Sequence, residues 1–591
     1  MWNGFLSQEK EVSNKKVFKM TRKKEGIYKK LEGASQSEKQ IFEIWCRLAP
    51  DEMFKAGLKE YAGKFFVRKK EVVETLLKKV EELEKEADTE MKKMFLSQIR
   101  TTLLFDEPYM VADGGVWAIY SHLVKEGVVL SHITSLLKNL VAAFRVSFEN
   151  HKGKDYSTEI KIITVNQLSG LKGILDVVEK EVLKFPLSER RECLQNLAQL
   201  RREIHGYKKH FAVEGIVNGD FSEVYPVLKE MGGDIGRKGI YPDILKNMYA
   251  YPETPQEIEE KGLKWLKEEL PELKRVTEDL ATLYKCENSV EAVTQTMRKK
   301  RNVDKKEVVD FIESLRKVLH GVVQKYLVRV NPNYDTRVVE TPPYLIHFIP
   351  TAAMSPFDFF TEKEFNNFFV TTDEKRSPPA GYCDLFQLLI HEEYGHCVNF
   401  SNTSTSFAAE PDLLELLPTT FRLPVSDGIS FFRELESLQL LRILLRTESS
   451  VIGKEERELL DYIKKFGEPQ HFLLEVEFVV YKWRIIRFLR AIGDIRINMH
   501  RQSVAQFVDW AHKETGLSKS LIFDQIFLFQ AYVGYAPCYA IAGEKIRQIQ
   551  RETIKRGVDV VDFNTYASSL GFPPRPIFEE KLRSYVGKRK I

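Results

Sequence analysis

Four ionisable side chains lie within six residues of one another, directly after an apolar run. His391, Glu392, Glu393 and His396 follow the segment Phe386-Gln-Leu-Leu-Ile390. Ionisable groups in apolar surroundings need partners, because an unpaired buried charge is unfavourable. A metal ion can be that partner, since neutral imidazoles bind zinc and a neighbouring carboxylate can deprotonate a zinc-bound water. These residue types therefore indicate a metal-binding helix.

The spacing of the two histidines predicts a distortion of that helix. His391 and His396 are five residues apart, which on an ideal α-helix separates their side chains by about 140° around the axis. They converge only if one residue bulges out, as in a single π-type turn. Gly395, directly before the second histidine, tolerates such a distortion. The alternative is an amphipathic helix whose histidines are merely hydrogen-bonded.

A catalytic zinc site also needs a third protein ligand, and Asp427 and Glu434 are the downstream candidates. They are seven residues apart, close to two helical turns, so both carboxylates lie on one face of a helix. Pro424 and Ser426 indicate the start of that helix, an end that favours anionic groups. We expect one carboxylate to bind the metal and the other to hold a ligand in place. In isolation, the same pair would be read as the solvated face of an amphipathic helix.

The composition describes a soluble globular protein. Of 591 residues, 43% are hydrophobic and 29% are charged, a balance that is ordinary for such proteins. The 89 basic and 85 acidic residues are mixed along the chain. No concentrated basic stripe results, so we expect no nucleic-acid partner.

The cysteines and the apolar segments predict a cytoplasmic location. The six cysteines are scattered without a Cys-x-x-Cys pair, which favours a reducing compartment. The N-terminus lacks the apolar core of a signal peptide. No segment reaches the roughly 18 apolar residues of a membrane span, so we expect no membrane partner.

Helical periodicity dominates the chain outside the candidate site. It predicts helices at about 116–150, 166–184 and 187–211, with a break before them at Asp113-Gly-Gly115. A further helix begins after Thr254, where Thr254 and Glu257 form a capping-box pattern.

A glycine-rich segment and two short strands complete the predicted organisation. The glycines between residues 215 and 239 indicate a boundary between an N-terminal helical region, 1–225, and a helical catalytic region, 226–591. Arg337–Tyr344 and Asn366–Thr372 have strand composition and are bracketed by prolines. We therefore predict a large, mainly α-helical body with a small β-sheet beside the metal helix.

From about Thr254 to Lys581, the order of these motifs resembles domain-of-unknown-function family 885. Those helical proteins are related to gluzincin metallopeptidases such as the thermostable carboxypeptidases. The segments that carry the resemblance are Pro342-Pro343, Ala352-Ala353, Phe368-Phe-Val-Thr371, His391-Glu-Glu-Tyr-Gly-His396, Asp427-Gly-Ile-Ser-Phe-Phe-Arg-Glu434, Asn498-Met-His500, Gly534-Tyr-Ala-Pro-Cys-Tyr539 and Gly571-Phe-Pro-Pro.

The chain departs from the family pattern at four points. The proline of the family's metal helix is absent, which shortens the spacing of the histidines by one residue. The first glutamate of the second motif is Asp427, and the aromatic pair of that motif is replaced by Ile429 and Phe432. The aspartate four residues before the late histidine is Arg496. These changes suggest a shifted substrate or a weakened activity.

The resemblance implies a zincin-like, gluzincin architecture with a central cleft and a peptidase that uses one zinc ion. Its metal ligands would be His391, His396 and Asp427, with Glu434 as the competitor of Asp427.

The resemblance also implies the catalytic groups. Glu392 would act as general base, while His500 and Tyr539 would donate hydrogen bonds to the oxyanion. We expect short peptides as substrates, held in extended form along the edge of the strand at Asn367–Thr372.

Two other functions are also consistent with the sequence. The first is a metal-free or catalytically weakened helical scaffold that descends from a peptidase. The second is a di-iron helical oxidase that uses Glu393-x-x-His396. It would need a second Glu-x-x-His downstream, where Asp509-x-x-His512 is a poor substitute.

Overall fold

The computed structural model describes most of the chain as helix. The described residues are 27–216, 219–346, 349, 351–361, 364–372, 381–404, 408–447, 452–499 and 502–586. Helices α1–α10 span Ile27–Gly33, Gln36–Leu48, Pro50–Ala56, Lys70–Glu86, Glu90–Leu104, Met110–Glu126, Leu130–His151, Thr158–Val182, Leu187–Phe211 and Phe221–Met231. Helices α11–α24 span Tyr241–Asp243, Pro255–Tyr284, Val290–Arg301, Val308–Tyr326, Tyr382–His391, Val398–Ser404, Arg422–Leu444, Lys454–Lys464, Pro469–Asn498, Val504–Thr515, Lys519–Phe527, Gly543–Lys555, Val560–Ala567 and Arg575–Ser584. The prediction of a mainly α-helical protein is confirmed.

Three π-helical segments interrupt this pattern within the described residues. They span Ile244–Met248, Glu392–Cys397 and Cys538–Ala542. The second and third of these segments pack against the same helix, α17. Widened turns thus lie on two sides of one helix, the helix that carries the candidate carboxylates.

The helix predicted at 116–150 is two helices, α6 and α7. They are divided at Gly127, whose φ of 65° is in the left-handed region. The break expected at Asp113-Gly-Gly115 is absent, because this segment lies inside α6. A Cβ on Gly115 would meet Leu140 at 3.3 Å, so this glycine allows α6 to approach the neighbouring helices closely.

The capping box before α12 is confirmed. The Thr254 hydroxyl accepts a hydrogen bond from the Glu257 amide, and the Glu257 carboxylate accepts one from the Thr254 amide at 2.8 Å. α12 packs along α19, which in turn contacts α15 and α17. These three contacts of α19 hold the helices that carry the candidate site around one buried helix.

The small sheet has three strands, β1 at Thr336–Glu340, β2 at Ala352–Phe357 and β3 at Phe365–Val370. The order is β1-β3-β2, with β1 parallel and β2 antiparallel to β3. β3 is therefore the central strand with both edges paired. The expectation that the strand at Asn367–Thr372 offers a free edge to a peptide is wrong. The edge strand β2, which the strand composition did not predict, lies beside the π-helical segment Glu392–Cys397.

No helix among the described residues is long and apolar enough to cross a membrane. The division of the chain at residues 225 and 226 stays a prediction.

Candidate metal centre

A π-helical turn brings the two candidate histidines together. α15 ends at His391, and the segment Glu392–Cys397 widens into π-helix before α16 begins. The rings of His391 and His396 lie with their centroids 4.9 Å apart and their planes at 81°. The distortion predicted from the five-residue spacing is confirmed, because an ideal helix would point these rings far apart.

Gly395 is the residue that allows the turn to approach α17. A Cβ at this position would stand 2.6 Å from the Ser430 Cβ and 2.7 Å from the Ser430 Cα. Both atoms belong to a helix, so no flexible side-chain end could move aside. The absence of a side chain at position 395 therefore allows the metal-helix turn to lie this close to α17.

Asp427 completes a group of three metal-ligating side chains. One ligand atom from each of His391, His396 and Asp427 lies within 4.8 Å of the others. The His396 Nε2 is 3.6 Å from the Asp427 Oδ1. Asp427 and His391 are buried, while the His396 side chain keeps 12% of its surface exposed. His396 is thus the most exposed of the three side chains.

Glu434 orients His391 through a hydrogen bond to the Nδ1 of the ring. Its Oε1 lies 2.7 Å from the His391 Nδ1 and accepts a hydrogen bond from the Gln387 amide at 2.6 Å. Its Oε2 accepts from Arg487 at 2.7 Å. Both oxygens are engaged, and the occupied Nδ1 leaves the Nε2 of His391 for a ligand.

Ser426 orients His396 in the same way, through the Nδ1 of the ring. Its hydroxyl lies 2.6 Å from the His396 Nδ1, so the Nε2 of this ring also faces the group. Ser426, Asp427 and Glu434 all stand on α17. One helix therefore carries the third candidate ligand and the groups that orient both imidazoles.

The electrostatics of the site favour neutral imidazoles. Burial, reinforced by the nearby Arg487 guanidinium, lowers the pKa of His391, and burial beside His391 lowers the pKa of His396 well below its ordinary value. Burial alone would raise the pKa of Glu434, but Arg487 and His391 outweigh it and lower that pKa. Two neutral nitrogen donors and one carboxylate are a donor set that zinc binds, so the residues present fit this metal.

Glu392 lies beside the group without a hydrogen bond to any residue that the structure describes. Burial, followed by the proximity of Asp427, raises its pKa to about 8. Burial also raises the pKa of Asp427 to about 7, against the opposing hydrogen bond from Tyr535. A buried carboxyl group with free oxygens and a raised pKa is suited to exchange a proton.

Two tyrosines lie beside the group, Tyr539 in the third π-helical segment and Tyr535 just before it. The Tyr535 hydroxyl donates to the Asp427 Oδ1 at 3.1 Å and lies 2.9 Å from the Tyr539 hydroxyl. The Tyr539 ring stacks near His391, with centroids 6.2 Å apart. A Cβ on Gly428 would stand 2.8 Å from the Ala542 Cβ, so this glycine lets α17 approach the segment that carries Tyr539.

Two other sequence candidates have different positions. Glu393 pairs with Arg316 at 2.5 Å and accepts a hydrogen bond from Tyr334. It is not part of the described metal-ligating group, which gives no support to a site built on Glu393-x-x-His396. His500 lies outside the described residues.

Several functional side chains were missed by sequence reasoning, although some left a signal. Gln387 stands four residues before His391, and Tyr535 stands four residues before Tyr539. Gln387 and His391 lie one helical turn apart, where side chains share a face. Tyr535 lies in the turn directly before the π-helical segment that contains Tyr539. Arg487 gave a weaker signal as a charged residue in the apolar sequence of α19. Its partner on another helix could not be read from the spacing.

The comparisons with known proteins show a shared fold. A candidate lipoprotein from Colwellia psychrerythraea superposes with a TM-score of 0.62 at 12% identity, over 93% of this chain and 99% of its own. A candidate lipoprotein of unknown function from Shewanella oneidensis gives a TM-score of 0.62 at 16% identity, over 93% of this chain and all of its own, 100%. At such identities the likeness concerns the fold and carries no function. No protein-family model matches the chain, and no curated protein matches it.

Proposed function

We propose that this protein is a zinc-dependent metallopeptidase that hydrolyses short peptides. One observation carries the proposal: the ligand atoms of His391, His396 and Asp427 converge within 4.8 Å, beside a glutamate with free oxygens. The resemblance to domain-of-unknown-function family 885 and to the gluzincins supports the same reaction. The proposed peptidase would have a gluzincin-like cleft and a cytoplasmic location. The six cysteines, all of which are free, support that location.

The three converging residues would hold one zinc ion. When bound, zinc would lower the pKa of a water molecule and polarise the carbonyl of the scissile bond. Glu434 and Ser426 would keep the two imidazoles oriented through their Nδ1 atoms.

Glu392 would transfer the proton. Its carboxylate would take a proton from the attacking water and deliver it to the leaving amine. The free oxygens of Glu392 support this role, because a carboxylate saturated with hydrogen bonds is a poor base. Glu393, which is engaged with Arg316 and Tyr334, is excluded from it.

Tyr539 would stabilise the negative charge that develops on the carbonyl oxygen. Its hydroxyl hydrogen would turn from the Tyr535 hydroxyl, 2.9 Å away, to donate a hydrogen bond to that oxygen. His500 keeps the same role as an expectation from the family resemblance.

The peptide itself would lie along β2. This strand is the edge of the sheet nearest the π-helical turn, and an extended peptide can add to such an edge through main-chain hydrogen bonds. The substrate would therefore bind along the edge strand β2, and not along β3 as the sequence suggested.

A mixed peptide library tests the function. The zinc-loaded protein should cleave a subset of randomised pentapeptides, detected by mass spectrometry, and Glu392→Gln should remove this cleavage while retaining zinc. A zinc-loaded wild type that cleaves no peptide would contradict the proposed function and favour a non-catalytic scaffold. Unchanged cleavage by Glu392→Gln would contradict the assigned base.

A further inference from the structure

One buried arginine differs from all the other buried arginines of the described residues. Arginine is rarely buried without a counter-ion, because the cost of desolvation is then not offset. Five of the six have a carboxylate partner: Arg237 with Glu107, Arg433 with Glu436, Arg484 with Glu269 and Glu544, Arg487 with Glu434, and Arg575 with Glu253 and Glu579. Arg490 forms no ion pair with any residue that the structure describes.

Arg490 stands next to the candidate metal centre. It follows Arg487 by one turn of α19, and its guanidinium carbon lies 5.4 Å from the centre of the Tyr539 ring. The same carbon lies 4.3 Å from the centre of the Phe529 ring. Arg490 has an electrostatic interaction with Asp427, although the two groups lie beyond ion-pair distance. A fixed positive charge therefore lies beside the proposed reaction centre.

The hydrogen-bonding capacity of Arg490 is only partly used. It donates from Nη2 to the Gln525 Oε1, while its Nε has no hydrogen-bond partner among the described residues. The Gln525 Nε2 is a second buried donor without such a partner. Burial lowers the pKa of Arg490 to about 10, which leaves the guanidinium charged at neutral pH. An unpaired cation with an unsatisfied Nε, next to a second unsatisfied donor on Gln525, fits a carboxylate.

The depth of Arg490 limits which carboxylates can reach it. At 9% exposure it is the most accessible of the six buried arginines, yet Phe529 and Tyr539 flank it. A polypeptide cannot pass through such a confined position, whereas a chain end can enter it.

We propose that Arg490, together with Gln525, binds the free C-terminal carboxylate of a peptide and directs cleavage to the C-terminal end of the substrate. The cleavage part rests on the proposed function, while the binding part stands on the surroundings of Arg490 alone.

Hydrolysis of matched peptide mixtures tests the cleavage part. Randomised pentapeptides without Asp or Glu are prepared as free acids and as C-terminal amides, so that only the chain end differs. The wild type should cleave the acids about 100-fold faster, as expected for a desolvated charge pair. Arg490→Gln should lose most of this ratio. Arg496→Gln, the same change farther along the same helix, should keep it. Equal cleavage of acids and amides by the wild type would overturn the proposal.

Binding measured without turnover separates this inference from the proposed function. Zinc-loaded Glu392→Gln protein is dialysed to equilibrium against both mixtures, and the retained peptides are quantified by mass spectrometry. Acids should be retained well above amides, and Glu392→Gln/Arg490→Gln should lose the difference. Selective retention by a protein that hydrolyses nothing would reject the peptidase and keep the carboxylate site. Equal retention of acids and amides would reject the site.

A conservative variant controls for the possibility that Arg490→Gln misfolds. Arg490→Lys keeps a charge but not the planar fork of donors, so its preference for acids should fall between those of wild type and Arg490→Gln. Thermal unfolding shows whether each variant is folded. If Arg490→Gln does not fold, the preference for acids over amides is compared between Arg490→Lys and Arg496→Lys. A preference in Arg490→Lys equal to that of the wild type would contradict the proposal.

Discussion

Ser430 on α17 occupies the space in which a side chain on Gly395 would begin. A Cβ at position 395 would stand 2.7 Å from the Ser430 Cα, well inside normal contact distance. Gly395→Ala must therefore push the π-helical turn away from α17. We expect this variant to lose about 1–3 kcal/mol of unfolding free energy and to bind zinc more weakly, because His396 moves with the turn. Urea denaturation and zinc titration measure the two effects.

A second glycine provides the control for that substitution. Gly206 lies inside α9, and a Cβ there would meet no atom within 4 Å. Gly206→Ala should raise stability by up to about 1 kcal/mol, since alanine favours helix over glycine, and should leave zinc affinity unchanged. If Gly395→Ala were as stable as the wild type and bound zinc equally well, the close approach of the two helices would not matter for the site.

Glu434 should control zinc affinity without being a ligand. Glu434→Gln weakens the acceptor of the His391 Nδ1 and should lower zinc affinity by about 10–100-fold. Glu436→Gln is the matched control, because Glu436 is also buried, stands on the same helix and pairs with Arg433. The control should destabilise the fold while zinc affinity stays near that of the wild type. Equal zinc affinities of the two variants would contradict the role of Glu434.

Zinc should stabilise the protein more strongly at alkaline than at acidic pH. In the metal-free protein, burial raises the pKa of Asp427 to about 7 and that of Glu392 to about 8. A group with a raised pKa in the folded state contributes stability below its unfolded pKa of about 4, and this contribution is lost as the pH rises through the folded pKa. The metal-free protein therefore loses stability between about pH 4 and about pH 8, because these groups ionise in the unfolded chain at lower pH than in the fold, and at the upper end of this range it carries unfavourable buried charge.

Zinc offsets this charge, so the rise in Tm on adding zinc should be larger at about pH 8 than at about pH 5.5. Thermal unfolding with and without zinc measures the difference. Asp427→Asn should flatten the pH dependence of the metal-free protein. A zinc effect of equal size at both pH values would show that these carboxyl groups do not titrate as assigned.

The Tyr539 hydroxyl should act in the transition state and little in substrate binding. Tyr539→Phe should lower kcat by about 100-fold with a small change in KM. Tyr326→Phe removes the hydroxyl of another hydrogen-bonded tyrosine, which stands on α14 and donates to Glu456, and should have no effect on either constant. A change confined to KM in Tyr539→Phe would assign Tyr539 to binding alone.

The local part of the site could be predicted from the sequence. The five-residue spacing of His391 and His396, with Gly395 between them, predicted the π-helical turn because helix geometry depends on neighbouring residues only. The capping box at Thr254 and the mainly helical fold followed from patterns of the same range.

The remaining features depend on contacts between distant segments. Spacing placed Asp427 and Glu434 on one face, but only the packing of α17 on the metal helix assigns them different surroundings. β2 was not predicted from the sequence, because Pro356 and the small residues of this strand give it weak strand character. The isolation of Arg490 among the buried arginines became visible only with the partners of all six in place.

Titration of zinc into the metal-free protein, followed by cleavage of the pentapeptide library, tests the proposed function most directly. Cleavage should be absent before zinc is added, rise in proportion to zinc and level off at one ion per chain. His391→Ala, His396→Ala and Asp427→Ala should show neither the rise nor bound zinc. Absence of cleavage at every ratio of zinc to protein, or cleavage that persists in the metal-free protein, would contradict a zinc-dependent peptidase.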